Sequence, residues 1–169
     1  EVEVFVAILG CSLLTYVEAA EGQRKEDFIT ACENAFYYYG GVPRAIVPDN
    51  LKSAVTKASR YEAILNTEFE RFGEHYGVTV YPTRARSPKD KAHVENAVKL
   101  TYKDIFTVIE PLHCPDLRSL NVAIRGALEK HNNKNLDRRN YSRRSYFEDV
   151  EQEALGPLNP IRYQMKKHI

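Results

Sequence analysis

The sharpest constraint on this chain is an early change of period. Glu1–Leu9 first alternates polar and apolar residues and then becomes wholly apolar, the pattern of a strand entering a buried sheet. Gly10-Cys11-Ser12 interrupts it and Leu13–Ala19 reads as a return strand, so the chain opens on a hairpin. From Lys25 to Tyr39 the spacing is helical instead, with Phe28, Ile29, Cys32, Ala35, Phe36 and Tyr39 on one face. Gly40-Gly41 ends that helix and Pro43 prevents its return.

The same logic carries on down the chain. Ala45–Val47 reads as a short buried strand and Leu51–Tyr61 as a loop with a helical turn. A helix is expected over Asn66–Tyr76, where Phe69, Phe72 and Tyr76 share a stripe, then a strand over Val78–Tyr81 closed by Pro82. Arg84–Asp90 is a polar, proline-containing loop. Helices follow at Lys91–Phe106, with Val94, Val98, Thr101 and Ile105 inward, and at Asp116–His131, with Leu117, Leu120, Ile124 and Leu128 inward. After Asn132 helix signals weaken, Gly156-Pro157-Leu158-Asn159-Pro160 breaks the chain, and Ile161–Met165 suits a further strand. The order β-β-α-β-α-β-α-α implies a mixed α/β sheet, antiparallel strands extended by parallel ones.

Length and composition narrow the class. At 169 residues, 43% hydrophobic and 28% charged, the chain matches one globular domain with its own core. No apolar run approaches the ~20 residues of a membrane span, and no signal peptide is evident. Cys11, Cys32 and Cys114 are well separated, which suits reduced, buried thiols in a cytosolic protein. No Cys/His pair has zinc-ligand spacing. Net charge is only +1, yet the bases cluster. Arg84, Arg86, Lys89, Lys91, Lys99 and Lys103 form one group; Lys134, Arg138, Arg139, Arg143 and Arg144 form another, opposed only by Asp137. Such patches serve nucleic-acid binding, and also occur as plain solvated faces.

Two carboxylates stand out. Asp49 lies just past the strand at Ala45–Val47, and ligands of open α/β sheets gather at the carboxyl ends of strands. Asp-Asn after proline is also ordinary turn chemistry. Glu95 lies near the start of the helix after the basic loop, where a glutamate also serves as a cap or dipole partner. Lys99 and Lys103 share its face, as a salt-bridge ladder or as phosphate contacts beside a metal carboxylate; Tyr102 lies close by. Carboxylates among bases suit a Mg²⁺ site acting on phosphodiesters, since hard cations take oxygen ligands and a metal pair clamps both oxygens of an in-line displacement. Such a pair calls for a third carboxylate, and none upstream of Asp49 fits well.

Several runs resemble one family. They are Phe5-Val6-Ala7-Ile8-Leu9, Thr15-Tyr16-Val17-Glu18-Ala19 and Phe36-Tyr37-Tyr38-Tyr39-Gly40-Gly41-Val42-Pro43-Arg44, then Val47-Pro48-Asp49-Asn50-Leu51-Lys52, Phe69-Glu70-Arg71-Phe72-Gly73-Glu74-His75-Tyr76-Gly77 and Lys89-Asp90-Lys91-Ala92-His93-Val94-Glu95-Asn96. Together they resemble the catalytic core of DDE-type transposases and retroviral-type integrases, most of all the IstA-type transposases of insertion sequences. The resemblance implies a ribonuclease H-like mixed sheet flanked by helices. It implies Asp49 and Glu95 as the second and third catalytic, metal-holding acids. DNA contacts would come from Arg84, Arg86, Lys89, Lys91, Lys99 and Lys103.

The resemblance also implies that the first acid lies on a central strand upstream of Glu1, missing from this chain, so that the fragment alone is inactive. It places the catalytic core at 1–132, and a basic linker with the start of a C-terminal domain at 133–169. The implied activity is 3′-end cleavage and strand transfer with Mg²⁺ or Mn²⁺. The implied partners are transposon-end and target DNA, an AAA+ ATPase helper and further copies of the chain, in the bacterial cytoplasm at the nucleoid. Alternatives are a catalytically degenerate DNA-binding and assembly module, or a nuclease on the same fold.

Overall fold

The structure is a computed structural model describing residues 2–22, 24–48, 60–81 and 88–165, without the side chains of 25, 60–66 and 88–92. In chain order its elements are β1 (Glu3–Ile8), β2 (Thr15–Ala20), α1 (Lys25–Tyr39), β3 (Ala45–Ile46), α2 (Arg60–Tyr76), β4 (Thr79–Val80), α3 (Pro88–Ile109), α4 (Leu117–Asn133) and α5 (Arg143–Tyr146). A π-helical turn (Phe147–Glu151) and a 3₁₀ turn (Gln152–Ala154) follow. Two compact units divide the chain: Glu1–Glu21 with Arg86–Ala154, and Gly22–Ala85 with Leu155–Ile169.

In the first unit β1 and β2 pair antiparallel, from Glu3 opposite Ala20 to Ile8 opposite Thr15. Glu151, on the π-helical turn, holds the hairpin turn. Its carboxylate accepts from the Cys11 N–H (3.0 Å), the Ser12 N–H (3.3 Å) and the Ser12 hydroxyl. Helix α4 covers β2. Two of its asparagines satisfy the strand edge turned away from β1. Asn132 accepts from the Thr15 N–H (3.1 Å) and donates to the Thr15 carbonyl (2.8 Å). Asn121 does the same at Ala19 (2.8 and 3.0 Å). An uncovered edge would present unpaired N–H and C=O groups; here side-chain amides stand in for a neighbouring strand. Helix α4 starts at Asp116, whose carboxylate accepts from the Ser119 N–H at 2.7 Å. Its Ile124 and Leu128, with Thr101, Ile105 and Ile109 of α3, are buried.

In the second unit α1 packs on α2 through aromatic rings. Phe36 stacks on Phe72 at 5.6 Å, and Phe28 meets Phe69 at 5.4 Å. Gly40 at φ 76° ends α1, the left-handed conformation glycine adopts without strain. β3 and β4 form a parallel pair, Ala45 opposite Thr79 and Ile46 opposite Val80. The segment from Leu155 to Tyr163 is strapped onto this unit. Val42 and Gly156 exchange backbone hydrogen bonds of 2.9 and 2.8 Å. Further along, the buried Glu33 accepts from the Tyr163 N–H (2.8 Å), the Arg162 guanidinium (3.3 Å) and the Tyr76 hydroxyl. The Tyr163 hydroxyl donates to the buried Glu68 at 2.9 Å, and burial followed by that bond pushes its pKa up to about 12.

Several boundaries differ from the sequence reading. α1 matches it, but α2 begins at Arg60, six residues before the expected start. Residues 60–65 contain neither Gly nor Pro, so nothing stops the helix from extending. Pro88 does not belong to a loop; it is the first residue of α3, a position where its missing N–H costs nothing. Ile161–Met165 forms no strand, because side chains rather than a ladder take its backbone groups. The expected helix-poor stretch after Asn132 contains α5, a wider π-helical turn and a tighter 3₁₀ turn. Of the three cysteines only Cys32 is buried; Cys11 is exposed and Cys114 half-exposed.

Candidate metal centre and nucleic-acid interface

Glu95 sits on α3, seven residues after Pro88, so it is two turns inside the helix. That removes it from the first turn, where glutamates act as caps. Its side chain is exposed, as are those of Lys99, Tyr102 and Lys103. At about 100° per residue, Tyr102, Phe106 and Lys99 lie within about 40° of Glu95 around the helix, and Lys103 about 80° away. Tyr102 and Phe106 stack at 5.0 Å. The ion-pair ladder that the Glu95–Lys99 spacing permits is not formed: neither residue pairs with a charge among the described residues. One face of α3 thus presents a carboxylate, two ammonium groups and an aromatic pair to solvent.

The rest of the expected site is only partly described. Asp49, Arg84 and Arg86 lie outside the described residues, and Lys89 and Lys91 are described only as backbone of α3. Among the described residues no three His, Cys, Asp or Glu side chains gather as a metal cluster. Glu95 is a suitable oxygen donor for a hard cation, being exposed and without an ion pair to any other described residue.

Sequence reasoning missed a second polar cluster, between α3 and α4. His131 is 1% exposed, and its Nδ1 bonds the Asp104 carboxylate at 2.7 Å. The Lys134 ammonium reaches the same oxygen at 2.5 Å. The Arg143 guanidinium donates to the His131 carbonyl at 3.2 Å. Burial pulls the His131 pKa down against the raising effect of Asp104. For Asp104, burial raises the pKa, but the bonds from Lys134 and His131 outweigh it and the net shift is downward. No local motif announces this cluster, since Asp104 and Arg143 lie 27 and 12 residues from His131 in sequence. It also revises the second basic group: Arg143 is buried, and Arg144 lies over the Phe147 ring at 6.0 Å.

Residues 1–88, just over half of the chain, match the Integrase core domain family, and the chain belongs to that family. A protein of Sinorhizobium fredii named as a transposase is 41% identical over 162 residues, covering 96% of this chain and 31% of its own length. A protein of Burkholderia multivorans named as a transposase for insertion sequence IS408 is 35% identical over 165 residues, 98% of this chain and 32% of its own. The chain therefore spans about a third of the curated relatives it matches. The catalytic core domain of BIV integrase superposes with a TM-score of 0.66 at 14% identity, covering 89% of this chain and 88% of that one. The fold is accordingly the mixed α/β, ribonuclease H-like fold of integrase cores. No described helix is long and apolar enough to cross a membrane.

Proposed function

We propose that this chain is the catalytic domain of a DNA transposase, a DDE-type polynucleotidyl transferase that cleaves 3′ ends and joins them to target DNA. Membership of the Integrase core domain family carries the reading, and the relatives named as transposases support it. Asp49 and Glu95 are the proposed metal-holding carboxylates. The exposure of Glu95, with no ion pair to any other described residue, suits that role. Bound Mg²⁺ or Mn²⁺ would supply Lewis-acid activation of water and phosphate. The chain's own task is to hold phosphates in line, through Arg84, Arg86, Lys89, Lys91, Lys99 and Lys103.

The first acid of the triad is proposed to lie on a strand upstream of Glu1, so the isolated chain is inactive. The core spans 1–132, and 133–169 leads toward a C-terminal domain. Transposon ends, target DNA, an AAA+ helper and further copies of the protein complete the proposed assembly, at the nucleoid of a bacterial cytoplasm. The test is strand transfer by the full-length protein on terminal DNA ends. Asp49→Ala and Glu95→Ala should each abolish joining while leaving DNA binding in place. Joining at the unmutated rate by either variant would remove the assignment.

A further inference from the structure

Between Lys130 and Arg144 six basic residues face one acid, Asp137. Three of the six are spent inside the unit: Arg143 on the His131 carbonyl, Arg144 on the Phe147 ring and Lys134 on Asp104. Lys130, Arg138 and Arg139 remain exposed, with no ion pair to any other described residue. The two arginines sit at the tip of a doubly closed turn. Asn135 bridges Ser142, the Leu136 N–H donates to the Tyr141 carbonyl at 2.9 Å, and the Arg139 N–H donates to the Leu136 carbonyl at 2.9 Å. Arg138 has φ 59°, a conformation that side chains other than glycine, Asn and Asp rarely adopt. The backbone accepts this strain at a turn whose two arginines are both exposed, and strain of this kind concentrates at functional sites.

Asp104, which Lys134 grips, is nine residues from Glu95 and so lies about 180° around α3 from it, on the opposite face of the helix. We propose that Lys130, Arg138 and Arg139 form a second contact for the backbone of duplex DNA, separate from the face that carries Glu95. The inference rests on the proposed transposase reading. Guanidinium groups favour phosphate for their bidentate geometry, and such contacts fix the duplex without reading its sequence.

The experiment measures binding of the full-length protein to a fluorescein-labelled 30-base-pair duplex of arbitrary sequence, by anisotropy at 50 and 200 mM salt. The variant Arg138→Ala/Arg139→Ala should bind more weakly. Its log Kd should depend on log salt with a slope lower by about 1.8, since each phosphate contact contributes about 0.9. The extra loss of affinity across that salt range should shrink by about 12-fold. Arg138→Gly/Arg139→Ala should lose the same affinity while melting higher, because glycine relieves the strained φ. Arg118→Ala, an exposed charge at the other end of α4, is the control. If the turn variants match Arg118→Ala while Lys99→Ala/Lys103→Ala weakens binding, the second contact is refuted and the transposase reading stands. If the unmutated full-length protein binds no duplex, both fall.

Discussion

Asn132 and Asn121 make the same pair of hydrogen bonds to β2, but in different surroundings, so their removal separates hydrogen bonding from desolvation. Asn132 is 0% exposed and serves Thr15, itself 1% exposed; the Asn121 bonds to Ala19 are only partly buried. After Asn132→Ala, the Thr15 N–H and C=O have no access to water. Each buried unsatisfied group costs about 1–3 kcal/mol, so the variant should lose about 2–5 kcal/mol, with cavity formation pushing toward the upper end. After Asn121→Ala, water can replace the lost amide, and the loss should be about 1 kcal/mol. Urea unfolding of the first unit, followed by circular dichroism with unchanged m-values, reads the difference. Amide exchange at Thr15 and Ala19 reads it locally: Thr15 protection should collapse far more than that of Ala19. Equal losses within about 0.5 kcal/mol would mean that burial of the strand edge contributes nothing beyond the bonds.

Two further outcomes follow from the same packing. Burial holds the His131 pKa below its value of 6.5 in the unfolded chain, so the unfolded state binds the proton more readily. Stability is therefore complete above about pH 6.5 and declines as pH falls toward the folded pKa, by up to about 1.4 kcal/mol per unit. His131→Gln should flatten the melting temperature between pH 7.5 and 5.5; an unchanged slope would exclude His131 as its source. At Gly41 an added Cβ would lie 2.7 Å from the Leu155 Cβ and 2.9 Å from the Gly156 carbonyl, whereas at Gly10 it would meet nothing within 4 Å. Gly41→Ala should cost about 1–3 kcal/mol and speed proteolysis after residue 155, and Gly10→Ala should leave cleavage unchanged.

The sequence carried the elements better than their anchors. The α1 stripe was fully legible because Phe28, Ile29, Cys32, Ala35, Phe36 and Tyr39 repeat at helical spacing and Gly40 and Pro43 mark the end. Pro88 misled, since proline both breaks helices and starts them, and only the following residues distinguish the two. The basic run after Asn132 was visible, but not that Arg143 faces inward, because burial of an arginine depends on a carbonyl twelve residues away. Glu95 was found through its motif, and the structure added that it lies two turns into α3, free of Lys99. The Asn121 and Asn132 edge contacts bridge 102 and 117 residues, and no local pattern encodes such a separation.

Glu151 accepts hydrogen bonds from a turn made 140 residues earlier. During synthesis the opening hairpin therefore emerges long before the groups that secure it. At about 5–20 residues per second, it waits roughly 5–30 s for Asn121, Asn132 and then Glu151 to follow. Over that interval it has neither its α4 edge cover nor its turn anchor. The hairpin is thus translated before the groups that secure it. A ribosome stalled before residue 151 would display that hairpin unfixed, as the species most open to chaperone capture or to pairing with a neighbouring nascent chain.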